Sequence, residues 1–290
     1  RAAEESRDEI AALLKGTDMV FITAGMGGGT GTGAAPIVAE IAHDLGILTI
    51  GVVTKPFLFE GRRRMDNAEM GITALREHVD AILIIPNEKL RQYSTEKLTL
   101  QNAFMAADEV LKQGVQSIAE LINVVGVVNL DFEDVKTIMK GAGNAHMGVG
   151  RASGKEKAKI AAENAITSPL LETSINGAKG VIVNFTTSPD IALDEVAAAS
   201  DMISEAAHPD GNLIWGVAFD ENLQDEMVIT VIATGFEEES TFDLGSYTFK
   251  SEPVRQPVVT EPSYMRAPVV SAPVADKQYA PAASAPVYTV

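Results

Sequence analysis

The stretch Gly27-Gly28-Gly29-Thr30-Gly31-Thr32-Gly33 decides the fold of this chain, because it places five glycines within seven residues. An apolar strand pattern at 18–24 precedes it, and a helix pattern follows from about residue 33 to residue 43. Glycines let the backbone approach an anion closely, and the free N–H groups of a helix start point towards that anion. Thr30 and Thr32 add hydroxyl donors. This segment, the glycine loop, therefore predicts a phosphate-binding turn between a strand and a helix.

Two common nucleotide loops fit this segment poorly. A Walker loop needs a lysine after its last glycine, and no lysine follows these glycines. The spacing from Gly29 to Ala34 fits a loose dinucleotide pattern, which also needs an acidic residue about 20 positions further on, at the end of the next strand. That strand pattern ends instead in Thr54-Lys55-Pro56. A glycine-rich turn without a ligand is the remaining alternative from the residues alone.

Strand and helix patterns alternate over residues 1–96, which predicts a parallel sheet covered by helices. A long helix pattern follows from about residue 98 to residue 122, roughly 37 Å at the rise of an α-helix. Beyond it, further strand and helix patterns predict a second, smaller α/β domain. The strands are expected near 18–24, 47–54, 80–86, 143–150, 179–187, 212–219 and 227–234, and the later helices near 131–140, 154–167 and 192–207.

The end of the chain has a different composition. Seven of the thirteen prolines lie within residues 251–290, among many alanines and valines. Such a stretch has little periodicity and cannot build a packed core. We therefore predict a disordered, extended linker at 237–290.

Composition excludes several classes of function. The formal net charge of −17 argues against binding to nucleic acid or to an anionic membrane surface. There is no cysteine, and the four histidines show no metal-binding spacing, so no protein metal site is expected. No window approaches 18 uninterrupted apolar residues, which argues against direct membrane insertion and favours a cytoplasmic protein.

Several separated motifs together resemble the FtsZ family of bacterial cell-division GTPases, within the tubulin superfamily. Besides the glycine loop and its flanks, they are Lys55-Pro-Phe-Leu-Phe-Glu-Gly-Arg-Arg-Arg-Met65, Ile85-Pro-Asn87, Asn129-Leu-Asp-Phe-Glu-Asp134 and Ser168-Pro-Leu-Leu171. The resemblance extends from residue 1 to about residue 235. It implies four parts: a GTP-binding domain at 1–97, a central core helix at 98–123, an activation and polymerisation domain at 124–236, and the linker at 237–290.

Phe104 and Asp108 lie four positions apart on the long helix, so they share one face. A ring that stacks on a base, beside a carboxylate that accepts from its N1–H and N2–H groups, would select guanine over adenine. The pattern alone favours a core phenylalanine and a solvated carboxylate. The resemblance instead implies that Asp108 reads the guanine base.

Glu60 and Arg64 are also four apart, and from the residues alone they could form a simple surface pair. Arg64 ends a run of three arginines in an acidic chain, which suggests contact with phosphate. The resemblance implies that Glu60 holds the ribose and that Arg64 reaches the phosphate end. It places Asn87, which follows the third strand, on the ribose side.

Asp131 and Asp134 have an ordinary explanation, because an aspartate followed three residues later by another acid often caps a helix. The resemblance implies a catalytic loop in which Asn129, Asp131 and Asp134 enter the nucleotide site of the next subunit. There they would position the water that attacks the γ-phosphate. Phosphoryl transfer needs placement and charge stabilisation, so sharing the site between subunits would make hydrolysis depend on assembly.

The resemblance therefore implies a GTPase that binds GTP or GDP with Mg²⁺ and polymerises head to tail at the mid-cell division site. The alternatives are a GTP-binding structural relative that assembles without hydrolysis and, less favoured, a dinucleotide oxidoreductase.

The chain starts at Arg1, already in a helix pattern, so we expect an upstream segment with further strands and a second glycine-rich loop. The resemblance also implies division proteins and membrane tethers as partners, which would bind a peptide at the C-terminal end of the linker. Residues 284–290 do not match that peptide.

Overall fold

The structure is a computed structural model that describes residues 1–93, 99–123, 131–171, 175–189, 191–220, 223 and 225–236. The predicted linker at 237–290 and the candidate residue Asn129 lie outside these ranges. No helix within the described ranges is long and apolar enough to cross a membrane.

The described residues contain one mixed sheet of seven strands in the order β1-β2-β3-β4-β7-β5-β6. The strands are β1 (Met19–Gly25), β2 (Leu48–Lys55), β3 (Ala81–Pro86), β4 (Gly143–Ser153), β5 (Gly180–Thr187), β6 (Asn212–Phe219) and β7 (Glu226–Thr234). Strands β1, β2 and β3 are parallel neighbours, as the alternation of strand and helix patterns predicted. Each of the three begins within one residue of its predicted position.

Helices cover this sheet, and their bounds agree with most of the sequence patterns. They are α1 (Ala2–Glu5), α2 (Arg7–Leu14), α3 (Thr30–Asp44), α4 (Arg62–Arg76), α5 (Leu90–Tyr93), α6 (Leu100–Asn123), α7 (Phe132–Met139), α8 (Lys157–Ile166) and α9 (Leu193–Ala206). Two short 3₁₀ turns, at Leu58–Glu60 and Asn87–Lys89, follow β2 and β3. Helix α3 begins three residues earlier than its periodicity predicted, so the second half of the glycine loop forms its first turn.

Strand β2 shows why helices lie on both faces of the parallel strands. All its residues but the last are buried, as expected for a strand covered on two sides. Ile50 and Val52 point into a core shared with α6, whereas Val53 belongs to a core shared with α3 and α4. Successive side chains of a strand point to opposite faces, so α6 lies on the face opposite α3 and α4.

Strand β4 joins the two parts of the sheet. Its first three residues pair in parallel with 81–83 of β3, and its residues 146–153 pair antiparallel with β7. Helix α8 approaches β4 closely. A Cβ on Gly148 would clash with the carbonyl oxygen of Ala165, and a Cβ on Gly150 would clash with that of Ala161. Glycines on the strand and alanines on the helix make this contact possible.

Helix α6 is the long helix that the sequence predicted, and its 24 residues correspond to about 36 Å. One side of it contributes Ala107, Val110 and Ile118 to the core. Another side lines a cavity of about 280 Å³ with β5, β6 and β7. The buried side-chain oxygens Gln113 Oε1 and Asn184 Oδ1 there have no hydrogen-bond partner in the described residues. We expect ordered water in this cavity, because unpaired buried oxygens are costly.

The outer strands of the sheet are β1 and β6, each paired on one side only within the described ranges. Neither contains a charged residue or a proline. Their free edges therefore lack the usual features that discourage pairing with another strand.

Candidate functional site

The candidate site lies where β1, β2 and β3 end. The register pairs Gly25 with Thr54 and Lys55 with Pro86, so the carboxyl ends of the three strands lie side by side. The glycine loop follows β1, the turn containing Glu60 follows β2, and Asn87 follows β3. In open parallel sheets, ligands bind at this edge.

The glycine loop contains glycines of two kinds. Gly27 has φ +98°, and a Cβ on it would lie 2.5 Å from the carbonyl oxygen of Arg64. A Cβ on Gly31 would lie 3.0 Å from the carbonyl oxygen of Gly25. Gly28, Gly29 and Gly33, in contrast, have nothing within 4 Å of such a Cβ. The fold itself requires close backbone approach at two positions, and the other three border open space.

That space continues as a groove of about 320 Å³ between the start of α3 and helix α4. Gly29 is the N-cap of α3, and within the described residues no side chain caps this helix start. The N–H groups of its first turn are therefore available to an anion. The N–H of Gly27 donates to Thr32 Oγ1 at 2.8 Å, so Thr32 also holds the loop in shape.

Glu60 and Arg64 contact each other beside this loop. The Glu60 side chain is only 9% exposed, and its Oε2 lies 3.2 Å from Nη1 of Arg64. Its Oε1 accepts the N–H of Phe57 at 2.8 Å. The pair that the spacing suggested is therefore present, but its Glu60 member is largely buried rather than on the surface. The backbone of Arg64 also contacts Gly27, which brings the first turn of α4 against the glycine loop.

Phe104, near the start of α6, joins the same region. Its ring packs edge-on against Phe57 and Phe59, with centroid distances of 5.5 and 6.2 Å. It remains 43% exposed, so part of its surface is free for another ring. Asp108, one turn further along α6, is exposed. The structure thus places Phe104 beside the turn that contains Glu60.

Asn87 has a buried side-chain oxygen that is open to a hydrogen bond from a ligand or from water. It is only 5% exposed, and its Oδ1 has no hydrogen-bond partner in the described part of the chain. An unpaired buried oxygen is costly, and a hydroxyl or amino group of a bound molecule would satisfy it. Asn87 lies close to the Glu60 turn, since the next residue, Glu88, accepts the N–H of Leu58 at 3.3 Å.

Asp131 and Asp134 lie in a different part of the molecule. Asp131 is the N-cap of α7, and its Oδ1 accepts the N–H of Asp134 at 2.9 Å. Both residues are exposed. Helix α6 starts beside the phenylalanine cluster and ends about 36 Å later, before α7 begins. The structure therefore provides the cap that the spacing suggested and does not bring these carboxylates to the glycine loop.

Sequence reasoning did not assign roles to three residues of this region: Phe57, Phe59 and Glu88. The two phenylalanines lie within a motif that the resemblance uses, and their aromatic character was the available signal. Glu88 gave no signal, because its contact is with a backbone group 30 positions earlier. No group of three or more His, Asp or Glu side chains that could hold a metal ion occurs in the described ranges.

Comparison with known proteins agrees with these observations. Residues 1–95 match the GTPase domain of the Tubulin/FtsZ family, and residues 143–237 match the C-terminal domain of the FtsZ family. A solved structure described as an empty FtsZ dimer from M. jannaschii is 43% identical to this chain, with a TM-score of 0.78. That alignment covers 81% of this chain and 68% of the other.

Two further solved structures are similar. A mutant FtsZ from M. jannaschii is 42% identical, with a TM-score of 0.78 over 81% of this chain and 70% of that chain. CetZ1 from Haloferax volcanii, solved as a GDP-bound monomer, shares the fold at 18% identity, with a TM-score of 0.63 over 81% and 72% of the two chains. With both domains matched and 43% identity to a solved FtsZ, this chain belongs to the FtsZ family and contains a tubulin-like GTPase domain.

Proposed function

We propose that this chain binds guanine nucleotides at the carboxyl ends of β1, β2 and β3 and hydrolyses GTP within a head-to-tail filament of the cell-division ring. The observation that carries the proposal is the open space at Gly28, Gly29 and Gly33, beside an uncapped helix start. Phosphate oxygens placed there would accept N–H groups of the first turn of α3, with Thr30 and Thr32 as further donors.

We assign the other site residues the roles that the resemblance implies, and their positions are compatible with these roles. Phe104 would stack on the base, and Asp108 would accept its N1–H and N2–H groups. Asn87 would satisfy its unpaired oxygen with a donor of the nucleoside. Glu60 has lone pairs left for a ribose hydroxyl, and Arg64 would turn from Glu60 towards phosphate. Mg²⁺ would be held mainly by phosphate oxygens, because the described residues form no carboxylate cluster.

Self-assembly is supported by exposed apolar side chains. Leu58 and Phe59 are exposed beside the nucleotide loops, and Leu193 at the start of α9 is 78% exposed. A similar solved protein is described as an FtsZ dimer.

Because α6 separates Asp131 and Asp134 from the glycine loop, these carboxylates, together with Asn129, would act on the nucleotide of a neighbouring subunit. Division proteins and membrane tethers remain proposed partners, through a tail peptide if the protein has one.

One observation favours the rival function, assembly without hydrolysis. Asp131 already has a structural role as the cap of α7, so its presence does not require catalysis. A phosphate-release assay with GTP and assembled protein separates the two: sustained release supports hydrolysis, and assembly without release supports the rival.

Base recognition gives the test of nucleotide binding. We expect GTP to compete for the site much better than ATP. Asp108→Ala should weaken GTP binding by about one to two decades, since a charge-assisted hydrogen-bond pair is worth roughly 1.5–3 kcal/mol. Glu109→Ala is the matched control, because it removes the neighbouring exposed carboxylate of the same helix and should leave affinity unchanged. Equal affinity of the unmutated protein for GTP and ATP in a competition titration would contradict the proposal.

A further inference from the structure

Glu88 lies within the turn that follows β3 and contacts the turn that follows β2. Its Oε2 accepts the N–H of Leu58 at 3.3 Å, and its Oε1 accepts from Nη1 of Arg91 at 2.6 Å. Leu58 begins the 3₁₀ turn that ends at Glu60. Asn87, whose Oδ1 is unpaired, is the residue immediately before Glu88. One carboxylate therefore connects the two turns that flank the candidate nucleoside site.

The first N–H groups of the Leu58–Glu60 turn are held by two different carboxylates. The N–H of Phe57, the residue just before the turn, donates to Glu60, the last residue of the turn. The N–H of Leu58 is bound by Glu88, from outside the turn. The internal bond keeps the turn closed, whereas the external bond fixes where the closed turn sits relative to β3. Glu88 therefore contacts the backbone of the same turn that holds the Glu60 carboxylate.

Glu88 is suited to this role because it stays ionised. The Arg91 guanidinium and the Leu58 N–H hold the pKa of Glu88 below its usual value, although partial burial acts in the opposite direction. A charged acceptor makes a stronger hydrogen bond than a neutral one.

We propose that Glu88 is a positioning residue of the nucleotide site: by accepting the Leu58 N–H, it places Glu60 and Asn87 together on the ribose side. The inference rests on the proposed nucleotide binding. It assigns Glu88 no contact with the nucleotide, and its effect reaches the ligand through Glu60.

The ordinary explanation is a local ion pair, since Glu88 and Arg91 are three positions apart in one helical segment. A charge reversal distinguishes the two. Glu88→Arg combined with Arg91→Glu restores an ion pair between these positions, but an arginine at 88 has no acceptor for the Leu58 N–H. Glu88→Gln has the converse effect, because it keeps an acceptor oxygen and weakens the pair.

Two measurements on the 290-residue chain test the proposal. The first is hydrogen exchange at the Leu58 amide without nucleotide, followed by NMR. The second is the affinity for GTP and for GDP, with turnover per bound nucleotide. Glu88→Ala and the charge reversal should each raise Leu58 exchange about tenfold, since a hydrogen bond to a charged group is lost. Both should weaken GTP and GDP binding equally, by about three- to tenfold, and leave turnover per bound GTP unchanged. Glu88→Gln should have an effect between that of Glu88→Ala and none, because it keeps an acceptor oxygen but loses the charge. The control Lys89→Ala should stay near the unmutated protein.

Three results would overturn the inference: recovery of the unmutated behaviour by the charge reversal, unchanged Leu58 exchange in Glu88→Ala, or faster exchange with unchanged affinity. If the unmutated chain binds no guanine nucleotide, the proposed function fails. In that case Leu58 exchange alone decides whether Glu88 holds the turn.

Discussion

Gly27 and Gly29 stand two positions apart in the glycine loop and have different reasons to be glycine. Gly27 has a positive φ and lies against the backbone of Arg64, so an added Cβ is both strained and in contact with a carbonyl oxygen. Gly29 has φ −86°, which any residue adopts, and its Cβ position is open. The fold accounts for the first glycine, and a ligand would account for the second.

This difference predicts opposite outcomes for two alanine substitutions. Gly27→Ala should destabilise the fold by about 2–4 kcal/mol, from an unfavourable φ and an overpacked contact. Gly29→Ala should leave the free energy of unfolding nearly unchanged, and Gly29→Val should abolish GTP binding while the protein stays folded. Urea unfolding and calorimetry with GTP measure the two effects. Normal GTP affinity in Gly29→Val would mean that the loop does not hold the phosphates.

The glycine run and the Glu60–Arg64 pair could be read from the sequence because their signals are local. The run is contiguous, and the pair has the four-residue spacing of a helix. Which glycines are crowded could not be read, because the crowding of Gly27 comes from Arg64, 37 positions later. The role of Glu88 could not be predicted either. Its partner lies 30 positions earlier and is a backbone N–H, which does not depend on the type of residue.

At the scale of elements, helix α7 shows that a capping role and a catalytic role can be separated. Asp131 accepts the N–H of Asp134 through one oxygen, which satisfies a free backbone donor at the helix start. Its other oxygen is not needed for the cap. A substitution that preserves the cap but removes the negative charge therefore isolates any catalytic contribution.

We predict that Asp131→Asn keeps the stability of α7 and lowers GTP turnover, because asparagine caps a helix about as well as aspartate. Asp131→Ala should lower both, with a loss of about 1 kcal/mol in the free energy of unfolding. Thermal unfolding and phosphate release measure the pair. Full turnover in Asp131→Asn would leave Asp131 with a capping role only.

Most elements could be predicted from periodicity, but the start of α3 and the pairing of β4 with β3 could not. Helix α3 begins at Thr30, three residues before its apolar period starts, because backbone hydrogen bonds rather than side chains define that first turn. The pairing of β4 with β3 could not be predicted from the sequence either, because it consists of three residue pairs whose members are about 60 positions apart. Long-range pairing of this kind depends on register, which the sequence pattern of either strand leaves open.

At the scale of the whole molecule, α6 separates the glycine loop from the carboxylates of α7. A helix of 24 residues is about 36 Å long, far beyond the reach of an aspartate side chain. If both groups take part in hydrolysis, they must belong to different subunits. Catalysis would then be a property of the filament and not of the single chain.

We therefore predict that GTP turnover per subunit rises with protein concentration. Asp134→Ala should bind GTP normally and hydrolyse it poorly, whereas Glu133→Ala, the neighbouring exposed acid, serves as the control. Mixing Asp134→Ala with the loop variant Gly29→Val should restore part of the turnover, since each supplies what the other lacks. Turnover per subunit that stays flat from dilute monomer to polymer would show that hydrolysis needs no neighbour.

The two outer strands of the sheet affect how any such filament can be observed. Within the part of the chain that the structure describes, β1 and β6 present rows of backbone groups without charge or proline along their outer edges, a template for non-native cross-β stacking. Solutions of this chain can therefore become turbid through disordered aggregation as well as through ordered polymer. The first process needs no nucleotide, whereas the second is proposed to depend on GTP. Light scattering alone does not distinguish them, and only the nucleotide-dependent part of the signal reports on filaments.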